Sequence, residues 1–468
     1  MPNETNMPQL AGDKNAERAR MGTTPELRLI FQFSAPAMMG FLSNALYNIV
    51  DRMFIGHWVG SPGLAALSVA FPIALFQGAL ATLICAGGTS LLSRKLGAGD
   101  LEEAKQAMGN MMTLSAATTL LLCFGIEFFL DPVVKLCGAT PDILDLSKTY
   151  LRIVLWGMAL QFGTIVQNET IRALGRPRRA MESVIIGTMS NVALDWLFIA
   201  VFNWGVAGAA VATVIGQGLS LAWVSIDLWG KRAPMNLEPS CWRIRWAMVR
   251  QIAAVGFSPF IGTLFFSILM VLFNLVLSEY GGSLALSAQG IFFSLDSLLF
   301  LPVMGLGDGV LPLVGFNYGA GNLRRVKRLV SIALWSSGIF LTVTTVITEI
   351  WAESMVAMFS SGNPALTAAA ARAMRIGYSA MPLAAVSITA SYVLQGLGRA
   401  KESLILTLGR QLIILPPVLI LPRFLGTDGL WVSFPITDIL GGVIAAWLLH
   451  GESKRWVEPA PRPASQEE

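Results

Sequence analysis

Charge is scarce in this chain, and so are histidine and cysteine, which build most catalytic and metal centres. Only 13% of the 468 residues are charged and two are histidine, whereas 54% are hydrophobic and the mean hydropathy is +0.62. Soluble domains carry about 25% charged residues, so the composition indicates a polytopic membrane protein. The net charge of +4 comes from basic residues in short loops between apolar stretches, which argues against a nucleic-acid partner.

The motifs of several other protein classes are also missing. The four cysteines, at positions 85, 123, 137 and 241, follow no metal-ligand spacing and predict neither a zinc site nor a disulfide framework. The lack of a G-x-x-x-x-G-K-[ST] loop excludes an ATP-driven pump. His57 and His450 lie near the ends of apolar spans, without a nucleophile and base. A membrane-embedded enzyme is therefore disfavoured, and we expect no cofactor.

Apolar stretches near the ~20 residues needed to cross a bilayer recur along the chain. Six precede a polar connector and six follow it. They are Leu27–Trp58, Gly63–Leu92, Ala107–Leu130, Tyr150–Ile171, Met181–Val201, Val206–Leu228, Gln251–Leu277, Ser283–Phe316, Leu329–Trp351, Ala371–Leu394, Ser403–Leu421 and Gly429–Leu449. The sequence therefore predicts an all-α membrane protein with twelve transmembrane helices.

Loop charges predict how these helices are oriented. The tails and even-numbered loops contain 26 Lys and Arg residues and the odd-numbered loops 7, so the positive-inside rule places both termini in the cytoplasm. Cys137 is then expected outside and Cys241 inside. The predicted divisions are a cytoplasmic tail at 1–24, a first lobe at 25–228, a cytoplasmic connector at 229–250, a second lobe at 251–449 and a cytoplasmic tail at 450–468.

An internal repeat relates the two halves. LGAGDLEEAK at 96–105 matches YGAGNLRRVK at 318–327 in five of ten positions, at an offset of 222, and ALGRPR at 173–178 aligns with GLGRAK at 396–401. Six helices per half is an even number, so both copies enter the membrane in the same direction. We expect two six-helix lobes related by a pseudo-two-fold axis along the membrane normal, an arrangement typical of secondary transporters.

A few polar side chains interrupt the first-half spans. Asp51 lies in the first span, and Asn191 and Asp195, four residues apart, share one face of the fifth. Thr213 and Gln217 on the sixth add a hydroxyl and an amide. Such oxygen ligands suit a hard cation such as Na⁺, and paired acids also suit a proton. An interfacial position for Asp51, or a hydrogen-bond network that only fixes packing, is the alternative interpretation.

Four segments together resemble the multidrug and toxic compound extrusion transporters, bacterial type with an acidic site in the amino-terminal lobe. They are YNIVDRMFIG at 47–56, LLSRKLGAGD at 91–100, IRALGRP at 171–177 and GVLPLVGFNYGAGN at 309–322. The resemblance implies export of amphipathic or cationic organic compounds in exchange for H⁺ or Na⁺. It also implies that Asp51, Asn191, Asp195 and Thr213 form the coupling site.

Other residues depart from that pattern or leave alternatives open. Asp308 stands where relatives often have glutamine, and Asp296 and Asp438 are further acids in second-half spans; Gln217, Asp308 and Asp438 are possible additional site residues. A flippase for lipid-linked precursors is the rival within the same superfamily, although the membrane-centre cations expected for a pyrophosphate headgroup are nearly absent. We expect a monomer in the inner membrane of the cell.

Overall fold

The computed structural model describes residues 20–137, 141, 144–230, 233–235, 237–360 and 363–456. Most of the two predicted tails lies outside these residues. The helices, labelled in chain order, are α1 Glu26–Trp58, α2 Ser61–Gly97, α3 Leu101–Phe128, α4 Leu130–Leu136, α5 Leu144–Ala173, α6 Pro177–Asp195, α7 Gly205–Trp229, α8 Trp246–Gly319, α9 Leu323–Ala357, α10 Pro364–Tyr378, α11 Met381–Gly396, α12 Ala400–Ile420, α13 Pro422–Leu425 and α14 Thr427–Ser453.

The 74 residues of α8 form two helical arms rather than one rod. A straight helix of this length would extend about 110 Å, several times the ~30 Å hydrocarbon core. The break falls at Gly282, whose φ of +59° is accessible mainly to glycine. We call residues 246–281 the first arm and residues 283–319 the second arm; they match the seventh and eighth predicted spans.

The tenth predicted span is also interrupted. Ala371–Leu394 is expected as one span, but α10 and α11 meet there at 58°. Pro382 near the start of α11 lacks the backbone N–H that would continue the hydrogen bonding of α10, which explains a break at this point. Within the described residues ten helices are long and apolar enough to cross a membrane, and the bent pair adds one. With α8 taken as two arms, this agrees with twelve transmembrane helices.

The two halves meet along a seam that follows the internal repeat. A Cβ added to Gly97 of α2 would collide with the carbonyl of Phe316, and one added to Gly319 would collide with the carbonyl of Arg94. Residues 97 and 94 correspond to 319 and 316 at the repeat offset of 222, so the two contacts are related by the pseudo-two-fold axis. We call this end of the bundle, where α2 meets α3 and α5 meets α6, the basic end.

Candidate functional site

The polar residues of the first-half spans converge on one buried cluster. Asp51 comes from α1, Asn191 and Asp195 from the last turn and a half of α6, and Thr213 from α7. Their exposed fractions are 6%, 3%, 0% and 9% respectively. Asp51 is therefore enclosed by protein, whereas its neighbour Arg52 is not. Arg52 beside it is exposed and lies over the ring of Phe71, 5.7 Å from its centroid.

Asn191 links its own helix, α6, to α7 in this cluster. In the amide orientation that satisfies both of its polar atoms, Nδ2 donates to Asp195 Oδ2 at 3.2 Å and Oδ1 accepts from the Thr213 backbone N–H at 3.3 Å. The opposite orientation instead places Nδ2 3.5 Å from Thr213 Oγ1. Amide orientation is assigned from the hydrogen-bond network. The first orientation is preferred because it gives both polar atoms of the amide a partner.

Both carboxylates keep unused bonding capacity. Asp51 Oδ1 and Asp195 Oδ1 are buried and have no hydrogen-bond partner among the residues that the structure describes. Neither acid forms an ion pair with a Lys or Arg in that part of the chain. Because buried charge without a partner is costly, the cluster is chemically suited to take up a proton or a small cation.

Two tyrosines in the cluster were missed by the sequence analysis. Tyr47 lies close to the Thr213 side chain and within electrostatic range of Asp51 and Asp195. Tyr150 of α5 is 8% exposed and faces the same two acids. Tyr47 precedes Asp51 by four residues, so helical periodicity could have revealed it. Tyr150 offered no such signal, because its proximity depends on how α5 packs.

Close packing of α6 against α7 explains why Asn191 reaches Thr213. A Cβ on Gly216 would lie 2.9 Å from the carbonyl oxygen of Gly187 and 3.0 Å from the Cβ of Asn191. Ser183 and Ser220 hydrogen-bond each other across the same interface at 2.9 Å. Small residues of this kind let two membrane helices approach closely.

The helix geometry changes immediately after Asp195. Residues Trp196–Val201 form a π-helix, and short π segments inside longer helices occur frequently at functional sites. An apolar layer lies one turn beyond the polar cluster on all three helices: Ile55, Ile199 and Ala209 pack together with at most 1% exposure. This layer closes the cluster on the side away from the basic end.

The additional candidate residues differ from the cluster in burial or in bonding. Gln217, one turn beyond Thr213 on α7, is only half-buried. Asp308 contacts Arg172 at 3.1 Å, and Asp438 accepts a hydrogen bond from Arg410 at 2.9 Å. Asp296 accepts from the Tyr378 hydroxyl at 3.1 Å. The second-half acids thus have hydrogen-bonding partners of their own, unlike the free oxygens of Asp51 and Asp195.

Comparison with known proteins agrees with this architecture. The MatE family model matches residues 36–197 and 259–420, two segments that begin 223 residues apart, as the internal repeat predicts. Multidrug export protein MepA of Staphylococcus haemolyticus strain JCSC1435 is 24% identical over 428 residues, covering 92% of this chain and 94% of that protein. MepA of Staphylococcus aureus strain N315 is 24% identical over 427 residues, covering 91% and 94%.

Solved structures share the fold. A MATE protein in the bent conformation superposes with a TM-score of 0.88 at 22% identity, covering 94% of this chain and 98% of that one. An outward-facing multidrug resistance MATE family transporter of the MOP superfamily gives a TM-score of 0.87 at 22% identity, covering 93% and 98%. The chain therefore has the two-lobed, multi-helix fold of those structures. The chain belongs to the MatE family.

Proposed function

We propose that this chain is a secondary active exporter that expels amphipathic or cationic organic compounds in exchange for H⁺ or Na⁺. Membership of the MatE family and likeness to proteins named multidrug export protein support the class of activity. The observation that carries the coupling half of the proposal is the pair of free carboxylate oxygens buried on Asp51 and Asp195.

In this proposal the coupling ion binds among Asp51, Asn191, Asp195 and Thr213, as a proton on a carboxylate or as Na⁺ held by their oxygens. Either ion reduces the negative charge of the cluster. The free-energy cost of closing the first lobe around the cluster is then lower. Closure reduces the volume of the cavity and expels the compound. Substrate and ion therefore compete, and rocking of one lobe against the other exposes the cavity alternately to each side.

The same proposal includes a setting in the cell. The transporter lies in the inner membrane with both termini in the cytoplasm, as the loop charges predict. It acts as a monomer, because each chain has both lobes and its own acidic cluster. Its partners are small organic compounds, H⁺ or Na⁺, and the lipid bilayer.

Transport by purified protein in proteoliposomes tests the coupling. A fluorescent organic cation such as ethidium is followed under a proton gradient and a Na⁺ gradient imposed separately. At least one gradient should drive its movement, and lack of response to both would overturn the proposed exchange. Movement of a lipid-linked precursor in its place would support the flippase rival.

Variants locate the coupling site. Asp51→Asn and Asp195→Asn should each abolish gradient-driven transport while the protein remains folded in the membrane. Asp145→Asn in the first turn of α5 is the matched control, because it makes the same chemical change at an exposed carboxylate. Unfolded Asp51→Asn or Asp195→Asn protein would instead mean that these carboxylates only support helix packing.

Equilibrium binding gives a second test that does not require transport. The affinity for the fluorescent cation is measured in detergent against pH and Na⁺ concentration. In the original protein binding should weaken as the coupling ion occupies its site, because the two effects are thermodynamically reciprocal. The double variant Asp51→Asn, Asp195→Asn should lose this dependence. If it keeps the full dependence, the coupling acid lies elsewhere, with Asp308 and Asp438 the next candidates.

A further inference from the structure

A second group of charged side chains lies between the two halves near the basic end. Arg172, in the last turn of α5, places Nη1 2.7 Å from Glu169 Oε1 on the same helix. The same nitrogen lies 3.1 Å from Asp308 Oδ2 on the second arm of α8. The three side chains are 11%, 18% and 21% exposed. One guanidinium therefore joins a carboxylate of its own half to a carboxylate of the opposite half.

The backbone around Asp308 is held between the two halves. A Cβ on Gly309 would collide with Ser34 of α1, and one on Gly305 would collide with Met38 of the same helix. On the other side of Asp308, a Cβ on Gly307 would collide with the Tyr392 ring of α11. This turn of α8 therefore packs closely against α1 of the first half and α11 of the second. Parting of the halves at this point must separate Asp308 from Arg172.

Parting has unequal consequences for the two carboxylates. Glu169 keeps its partner, because it lies three residues before Arg172 on one helix. Asp308 loses its partner, and separating a partly buried charge from its counter-charge is unfavourable. Within this group of three side chains, the cost of opening thus falls on the contact between Arg172 and Asp308.

This ion pair occurs once, although the seam itself is nearly two-fold symmetric. The repeat offsets relate Arg172 to Gln395 and Asp308 to Ala86, and neither of those residues is charged. At the symmetry-related place, Ser90 Oγ donates to the carbonyl oxygen of Gln395 at 2.5 Å, a neutral hydrogen bond. The Arg172 and Asp308 contact is therefore an addition to the repeated packing and not a part of it.

We propose that the Arg172–Asp308 ion pair is an inter-lobe lock, and that Asp308 sets how often the basic end of the transporter opens. This rests on the proposed function, in which the lobes rock apart. In the structure the lock is closed. It acts on the conformational equilibrium and does not bind the transported compound, so it is separate from the cluster around Asp51 and Asp195.

Cys85 of α2 provides a native reporter of opening. Its thiol is buried, with 7% exposure, and it lies within electrostatic range of Glu169, Arg172 and Asp308. In a background where the other three cysteines are replaced by serine, the rate of alkylation by N-ethylmaleimide follows the open population. The full-length protein is measured in lipid nanodiscs, without an organic substrate or an ion gradient.

Asp308→Asn should accelerate Cys85 alkylation about 5- to 50-fold, the range expected for loss of a partly screened, charge-assisted hydrogen bond. Glu169→Gln is the matched control, because it removes the same charge from the same arginine within one lobe. Either substitution removes a negative charge near the Cys85 sulfur, so only the excess of the Asp308→Asn rate over the Glu169→Gln rate reports opening. Equal acceleration by both variants, or by neither, would overturn the lock.

A double-mutant cycle distinguishes loss of the ion pair from a general loss of stability in a variant. Arg172→Gln should also accelerate alkylation, and the double variant Arg172→Gln, Asp308→Asn should react no faster than the faster single variant. Additive effects would show that the two residues act independently and would overturn the lock. The readout involves no transport, so the lock and the proposed export function can each fail without the other.

Discussion

The packing of α6 against α7 makes Gly216 a sensitive position for the coupling cluster. In Gly216→Ala the new methyl would lie 2.9 Å from the carbonyl oxygen of Gly187 and 3.0 Å from the Cβ of Asn191. The helices must separate by several tenths of an ångström to admit it. Thr213, one turn away on α7, then moves away from Asn191, and their 3.3 Å hydrogen bond lengthens.

Gly218→Ala is a matched control on the same helix. Its methyl would meet only Leu160 Cδ1 at 3.6 Å, an ordinary van der Waals contact. Each variant gains about 1 kcal/mol of helix propensity relative to glycine. Only Gly216→Ala adds the cost of overpacking, about 1–3 kcal/mol. The difference between the two variants therefore isolates that cost and corresponds to a factor of about 5 to 150 in the folding equilibrium.

Denaturant-induced unfolding in mixed micelles measures the difference in stability, and binding of a fluorescent organic cation against pH and Na⁺ measures coupling. Gly216→Ala should be the less stable variant and should need more coupling ion to weaken substrate binding. Gly218→Ala should behave like the original protein or be slightly more stable. If the two variants are indistinguishable in both measurements, close approach of α6 and α7 does not organise the cluster.

Two further predictions concern the cluster and the topology. Tyr47→Phe removes a hydroxyl that lies near Thr213 and both acids, and we expect the coupling ion to bind about 2- to 10-fold more weakly. Tyr280→Phe at an exposed site should have no effect, and equal ion affinities in titrations of both variants would exclude a role for the Tyr47 hydroxyl. For topology, an impermeant thiol reagent should label Cys137 in cells with a permeabilised envelope and a sealed inner membrane. Lys401→Cys, at an exposed position of the basic end, should stay unlabelled; the reverse pattern would overturn the orientation. Native Cys241 is an unsuitable inside marker because it is 1% exposed.

The different surroundings of the acids in the two lobes suggest a division of labour. Asp438 is paired with Arg410, and Asp296 is hydrogen-bonded by Tyr378, so the charge or lone pairs of each already have a partner. Asp51 and Asp195 instead each keep one buried carboxylate oxygen without a hydrogen-bond partner among the described residues. A carboxylate that already has a cationic partner gains less from binding another cation, which favours the first lobe as the place of coupling.

Local periodicity was sufficient to predict much of this protein from its sequence. Apolar stretches of about 20 residues predicted the transmembrane helices, because each membrane-spanning helix must satisfy its own backbone hydrogen bonds. The repeat offset predicted the two related halves, which the two MatE segments confirm. The four-residue spacing of Asn191 and Asp195 predicted a shared face, because that spacing is one turn of any α-helix.

Only the tertiary structure decided which of the polar residues lie together. Asp308 looked like a further candidate for the coupling site, but it contacts Arg172, a residue 136 positions earlier in the chain. Tyr150 lies within electrostatic range of both acids, while Gln217, four residues after Thr213, is half-buried. These outcomes depend on how closely particular helices approach, as at Gly216 and Gly187. That distance is set by atoms far apart in sequence, and no pattern within a single helix encodes it.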